Sequence, residues 1–313
     1  MMFYIGKRCL STIPVMLIVA VLIFGLLYIT PGDPALMIAG DQATPAVVER
    51  IRQQLGLDLP IYVRFGHWLW DVLRGDFGKS VLSGAPVSNL IAQRIQPTVS
   101  LMLATLVISV SVAVPLGVLS AWKRGSLIDR AVMILCVGGF SLPVFVTGYL
   151  LAYTFGLQLS WLPVQGYARI ENGVLPWLRG IILPSLALSL VYISLIARIT
   201  RATMLETMSR DYIRTARAKG VADRSLLFGH ALKNAAVPIV TVVGTGVALL
   251  IGGSVVAESV FALPGLGRLT IDAIMGRDYP VIQAVVLIFS ASYVFVNLIV
   301  DLLYTVFDPR ISY

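Results

Sequence analysis

The run from Gly75 to Ser80, Gly-Asp-Phe-Gly-Lys-Ser, has the residue types of a phosphate-binding loop. Such a loop needs four residues between its glycines, so that backbone N–H groups can wrap the phosphates, and it follows a strand. Only two residues separate Gly75 from Gly78, and no strand-like run precedes them, so no nucleotide is expected here. The chain has two histidines, His67 and His230, in polar segments assigned below to opposite sides of a membrane. They cannot share a site. A serine nucleophile inside a membrane needs a nearby base, yet no apolar segment contains a histidine or a lysine. Zinc-hydrolase motifs are absent. Cys9 and Cys136 lie in or beside different apolar segments, which suggests neither a disulfide framework nor metal-ligand spacing. No catalytic constellation is found, and the chain is expected to be neither an enzyme nor the holder of a cofactor or metal.

Ion-coupled carriers use ionisable residues within the membrane. Asp301 is the one plausible case, near the inner end of the last apolar run, and it is expected to pair with a neighbouring helix. No inverted repeat of broken helices is evident. An ion-coupled secondary carrier is thus the alternative from another class. The apolar runs are rich in small residues instead. Gly138, Gly139, Gly244, Gly246, Gly252 and Gly253 suit close helix packing.

The elements that carry these residues follow from hydropathy. Of 313 residues, 58% are hydrophobic and 13% charged, with a mean hydropathy of +0.87. That composition makes a polytopic membrane protein. Lys7 and Arg8 precede an uncharged apolar run from Cys9 to Tyr28, long enough to cross a bilayer and too long for a cleaved leader's core. Five further runs follow: between Arg94 and Lys123, from after Arg130 to about Leu157, Gly180 to Ala197, Asn234 to Ala257, and Tyr279 to about Phe307. The expected fold is all-α with six transmembrane helices.

The largest polar segment lies between the first two runs. Thr30–Pro34 (TPGDP) ends the first span with a turn. Pro45 to Leu55 reads as a short helix closed by Gly56-Leu57-Asp58. Ile61 to Leu73 reads as a second, with Tyr62, Phe65, Trp68 and Leu69 on one side. Near the end, Glu258–Pro280 holds an LPGLG turn followed by a short helix.

With both termini inside, the inner segments carry 13 basic residues against five acids, and the outer segments nine against ten. The excess is strongest in the short loops, where the positive-inside rule applies best. Both termini are therefore expected in the cytoplasm. The net charge of +8 concentrates on one membrane face, which argues for lipid contact there and against nucleic acid.

The stretch from Arg198 to Pro238 is the long polar run between two late spans. From Ala202 to Lys219, Leu205, Met208, Tyr212 and Ala216 share one helix face, and Arg210, Arg214 and Arg217 gather opposite. Gly220 breaks the helix. Asp223 is placed to cap a second helix running through Leu227 and Ala231 towards Pro238. A basic loop on anionic lipid and a docking element for a cytosolic partner both fit this pattern.

The run DYIRTARAKG, followed ten residues beyond Gly220 by HALKNAAVP, resembles the cytoplasmic loop of importer-type ABC permeases. PGDP, GDFGKS, the ESVFALPGLG segment and the closing FDPRISY match the dipeptide, oligopeptide and nickel branch of that family. The family's Glu-Ala-Ala positions are Arg214, Thr215 and Ala216 here, so the glutamate is absent, as in that branch. The resemblance implies a type I ABC importer permease. Residues 1–95 would form the first transmembrane helix and an extracytoplasmic helical segment. Residues 96–306 would be a five-helix core with a coupling loop at 200–234, and 307–313 a cytoplasmic tail. Arg214, Thr215, Ala216, Arg217, Gly220 and Asp223 would form the ATPase-coupling element.

The implied partners are a second homologous permease subunit, two cytosolic ATPase subunits that bind ATP and magnesium, and an extracytoplasmic solute-binding protein. The setting would be a bacterial or archaeal inner or plasma membrane. The solute is expected to be a di- or oligopeptide, with nickel or its chelate as the alternative. Bare nickel calls for imidazole or soft ligands, whereas peptides need a wide lining of small and hydroxylated residues. Candidates for such a lining are Ser100, Ser109, Ser111, Ser141, Thr147, Ser185, Ser189, Ser194, Thr241, Thr245 and Ser254.

Overall fold

The computed structural model describes residues 2–29, 35 and 36, 44–54 and 58–307. Thr30–Pro34, Gly56-Leu57 and the six closing residues that follow Phe307 lie outside that range. Eleven α-helices are numbered here in chain order. They are α1 (Met2–Ile29), α2 (Pro45–Gln54), α3 (Ile61–Leu73), α4 (Val87–Trp122), α5 (Leu127–Ser141) and α6 (Val144–Leu151). After these come α7 (Val174–Met208), α8 (Asp211–Ala218), α9 (Leu232–Val260), α10 (Leu266–Met275) and α11 (Tyr279–Phe307). Among the described residues, the helices of α4, α7, α9 and α11 are each long and apolar enough to cross a membrane. The α5–α6 pair supplies another crossing if taken as one, and α1 contains the apolar helix Leu10–Gly25.

The third expected span is not one rod. α5 and α6 meet at a 103° bend. The cause is local: a residue before proline is pushed out of the helical region, and Leu142, before Pro143, sits at φ −84°, ψ 123°. After α6 the chain continues through a π-helical turn, Ala152–Gln158.

Small residues set the helix spacing. A Cβ on Gly117 of α4 would stand 2.6 Å from the Thr200 Cβ of α7, and one on Gly253 of α9 would stand 2.9 Å from Leu188. Gly244 meets Val300 of α11 in the same way, and Gly139 meets Ser194. Gly246 touches Tyr192 at ordinary distance, whereas Gly138 and Gly252 face open space. α7 is thus the central helix, with α4, α5 and α9 laid against it. Leu183, Leu188, Tyr192 and Ile196 fill its buried faces.

α1 joins through α11, where the Arg8 guanidinium pairs with Asp301. Asp301 therefore has the structural role expected of it. α3 packs on α1 through Phe65 and Trp68, each 5.4 Å from the Phe24 ring. Leu69 and Val72 complete that contact, but Tyr62 does not join it and is 73% exposed. A 100° step per residue placed Tyr62 near that face; lying in the helix's first turn, it falls outside the patch that α1 covers.

Two buried carboxylates tie down the loops before α4 and on either side of α10. Ser80 Oγ donates to Asp278, whose carboxylate also accepts the Val81 N–H at 3.1 Å. The Gly78 N–H donates to Asp76. The Gly75–Ser80 run is therefore a turn clamped onto the residues before α11. Glu258, fully buried, accepts from Thr98 Oγ1 at 2.6 Å and from the Arg268 N–H at 2.9 Å. Thr98 Oγ1 in turn accepts the Leu266 N–H. Gly265 and Gly267 leave room for this: a Cβ on either would come within 3 Å of the Glu258 carboxylate.

Candidate functional site

α7 runs past the apolar zone and stops at Met208, where Ser209 and Arg210 turn the chain. The single helix expected over Ala202–Lys219 is thus two. Arg210 is extended, at φ −70°, ψ 148°, and α8 starts afresh at Asp211. The Ser209 hydroxyl bonds back to the Glu206 carbonyl, a local bond that competes with the helix ladder, and Arg210 pairs with the Glu206 side chain at 2.6 Å across the break.

α8 ends in a left-handed glycine turn. The Gly220 N–H donates to the Arg217 carbonyl and the Val221 N–H to the Ala216 carbonyl. With Gly220 at φ 78°, this is the hydrogen-bond pattern of a Schellman C-cap, which satisfies two carbonyls of the last turn. Val221 and Ala216 meet beneath it on the edge of a core cluster. The next helix begins at once. The Leu226 N–H donates to the Ala222 carbonyl, so Asp223 lies in the first helical turn and is not the cap. A carboxylate there still favours the helix N-terminus electrostatically. A π-helical turn, Ser225–Ala231, then feeds α9.

This helix–turn–helix is held by a few side chains. Ile213 is the one buried residue of α8. It inserts among Met204, Leu226, Leu227 and Ala231, with Val118 and Ala121 near the C-terminal end of α4. The expected coupling residues divide by face. Ala216 is half-buried, while Arg214, Thr215, Arg217, Gly220 and Asp223 are exposed. Tyr212, expected on the packed face, is exposed too, because Ile213 takes the inward position once α8 starts at Asp211. Arg214 faces Asp211 at 3.7 Å in an exposed pair, worth little in water. α8 therefore presents a basic surface on a fixed base.

Further back along α7 lies a latch that sequence reading does not reveal. Asp129, 4% exposed, accepts both prongs of the Arg201 guanidinium, from Nε at 2.7 Å and Nη2 at 2.8 Å. Ser120 Oγ and the Gly125 N–H also donate to it. One carboxylate so joins the C-terminal part of α4, the start of α5 and α7 about two helical turns before its end. The local signal was a Ser-x-x-Asp run: Ser126 does cap α5 by accepting the Asp129 N–H. The distant arginine left no sequence mark.

The hydroxyl residues proposed for a solute lining are mostly internal. Ser109, Thr147, Ser185, Ser189, Ser194 and Ser254 are buried between helices. Several bond to their own helix, such as Ser194 to the Leu190 carbonyl and Ser254 to the Ile251 carbonyl. A helical hydroxyl can always do this, so its presence says nothing about a pathway. Ser100 is half-buried and bonds Tyr167. Ser111, Ser141 and Thr245 are exposed.

Two family models cover nearly the whole chain. The N-terminal part of the binding-protein-dependent transport system membrane component matches residues 1–102, and the binding-protein-dependent transport system inner membrane component matches residues 113–313. The probable peptide ABC transporter permease protein y4tP of Sinorhizobium fredii is 54% identical over 99% of both chains. A putative peptide transport system permease of Brucella abortus is 49% identical over 98% of both. The glutathione transport system permease protein GsiC of Salmonella choleraesuis is 45% identical over the full length of both. Among solved structures, a chain of the inward-facing MetNI methionine ABC transporter superposes with a TM-score of 0.59 at 17% identity. That match covers 70% of this chain and 96% of the other, and it is a likeness of fold.

Proposed function

The chain belongs to the inner-membrane components of binding-protein-dependent ABC transport systems, and from that premise we propose that it conducts short peptides and is driven through α8. As a member it is a multi-pass, non-catalytic translocation subunit that works with an ATPase and a binding protein. Our finer reading gives it a second, homologous permease chain and two ATPase subunits. Both termini face the cytoplasm, with residues 1–95 ahead of a core at 96–306.

The observation that carries the reading is the form of α8. An eight-residue basic helix stands exposed except for Ile213 and the half-buried Ala216, bounded by a turn at each end. Such an element can transmit a push because its base is packed and its outer face is free. ATP binding would favour whichever permease conformation the closed ATPases grip more tightly. The Asp129–Arg201 latch would pass that shift to α4, α5 and α7 together. Arg214, Thr215, Ala216, Arg217, Gly220 and Asp223 form the docking element in this account.

For the solute, relatives matching end to end carry peptide or glutathione in their names. The spans contain no histidine to bind bare nickel. The test is uptake into vesicles containing the full complex, with labelled dipeptides or labelled nickel, with and without chelators. ATP-dependent dipeptide uptake is expected. Nickel uptake that excess peptide leaves unchanged, with no peptide uptake, would overturn the assignment.

A further inference from the structure

By helix length the break between α5 and α6 falls within the membrane layer, and among the described residues no other part of this chain covers it. From Asp129 at the inner face to Ser141, α5 rises about 18 Å, well short of the roughly 30 Å hydrocarbon layer. Ser141, Leu142 and Pro143 are all exposed. Pro143 has no N–H to give the Gly139 carbonyl. Irregular backbone at this depth is tolerated where protein covers it or where it lines water, not against lipid.

Arg198 points to the same place. It lies one turn deeper than Arg201, about 4.5 Å, and is exposed. Side chains tilt towards the N-terminus of their helix. α7 starts on the outer side, so Arg198 leans into the membrane and not back to the cytosol. Phe140, on the oppositely directed α5, leans inward to meet it. The guanidinium carbon sits 5.7 Å from the Phe140 ring centroid, and the ring itself is 54% exposed. Among the described residues no carboxylate pairs with Arg198. A cation directed into the layer, unpaired and beside open backbone, belongs in an aqueous passage.

We propose that Arg198, Phe140 and the exposed bend at Ser141–Pro143 form a solute station in the passage, with Arg198 meeting the carboxylate of a passing peptide. Carbonyls that the proline break leaves without a helical N–H would accept its N–H groups. Both partners are offered without a closed pocket, which suits a solute that must leave again. The station rests on the peptide-permease reading for its ligand but not for its water access.

The experiment uses the assembled complex in membranes, with Cys9 and Cys136 replaced and Ser141→Cys introduced. Two small, water-soluble methanethiosulfonates are compared, one bearing a sulfonate and one a trimethylammonium group. The expected result is modification by both, faster for the sulfonate. Arg198→Gln should slow the sulfonate about three- to ten-fold relative to the cation, as the loss of one nearby charge in a focusing cleft would. Arg198→Lys should keep most of the preference. Dipeptide uptake should fall in Arg198→Gln while the complex still co-purifies. Modification of Ser141→Cys only by a lipid-soluble maleimide would overturn the proposal, as would a charge preference indifferent to Arg198. Those results are independent of which solute the complex carries. Failure of peptide uptake by the unaltered complex would instead remove the peptide reading and the carboxylate with it.

Discussion

Arg201 on α7 closes over Asp129 on α5 with both prongs of its guanidinium, at 2.7 and 2.8 Å. Because Ser120 of α4 reaches the same carboxylate, three spans share one polar knot at their inner ends. Bidentate pairing of this kind fixes orientation as well as distance. In the coupling reading, the knot would make these helix ends move as a unit when α8 is displaced.

Arg201→Ala should therefore destabilise the complex. Removing one partner of a buried pair leaves an uncompensated charge, a cost of about 3 kcal/mol, moderated because Arg201 keeps partial solvent access. Arg201→Lys should recover only part, since an ammonium cannot match both oxygens. Replacing both residues, Asp129→Leu with Arg201→Met, should be milder than Arg201→Ala alone. Thermal unfolding of the purified complex measures all three.

Gly220 holds φ 78° with open space where a Cβ would go. Substitution there is opposed by backbone conformation, not by crowding. Gly220→Val should cost roughly 1–2 kcal/mol, loosening the α8 turn, and Gly220→Asn should cost less. The expected phenotype for valine is normal membrane insertion with weakened ATPase retention or weakened solute-stimulated hydrolysis. Co-purification and hydrolysis assays report the two separately.

At the outer face, Thr98→Val removes the hydroxyl that donates to Glu258 and accepts from Leu266. A buried carboxylate losing a charge-assisted bond should cost about 1.5–3 kcal/mol. Gly267→Ala should be worse, because its Cβ would stand 2.6 Å from the Val255 Cα, a backbone atom that cannot rotate away. Protease sensitivity of the Leu263–Met275 region should rise in both variants and in neither case require loss of the α8 dock.

Much of this architecture is legible in the chain because hydropathy marks every span and Gly220 marks the turn. What is not legible is direction and distance. The run after Arg130 reads as one span because apolarity continues through Pro143, and only the conformation of Leu142 reveals the bend. Ser80 and Asp278, or Asp129 and Arg201, are far apart in sequence, and nothing local names the partner. The hydroxyls are ambiguous for the opposite reason: several of them, such as Ser194 and Ser254, bond to their own helix, so their presence alone marks no pathway. Arg198 reads as a boundary residue until helix polarity shows which way it leans.

Orientation has a direct check. Ser83 and Ser225 are both exposed, on the outer turn and the inner loop respectively. With Cys9 and Cys136 replaced, Ser83→Cys should react with an impermeant thiol reagent in intact cells, and Ser225→Cys only after the membrane is opened. The reverse order would place both termini outside and remove the docking argument.

The most direct test of the account is covalent capture at α8. A photo-crosslinking phenylalanine derivative in place of Ala218, which is exposed beside Arg217, is activated in membranes that hold the whole complex. The account predicts an adduct with the ATPase subunit. Arg217→Glu should weaken that adduct and the binding-protein-stimulated hydrolysis of ATP together, about ten-fold for ~1.4 kcal/mol of lost docking energy. Adducts with lipid alone, with ATP-driven uptake unchanged by Arg217→Glu, would contradict it.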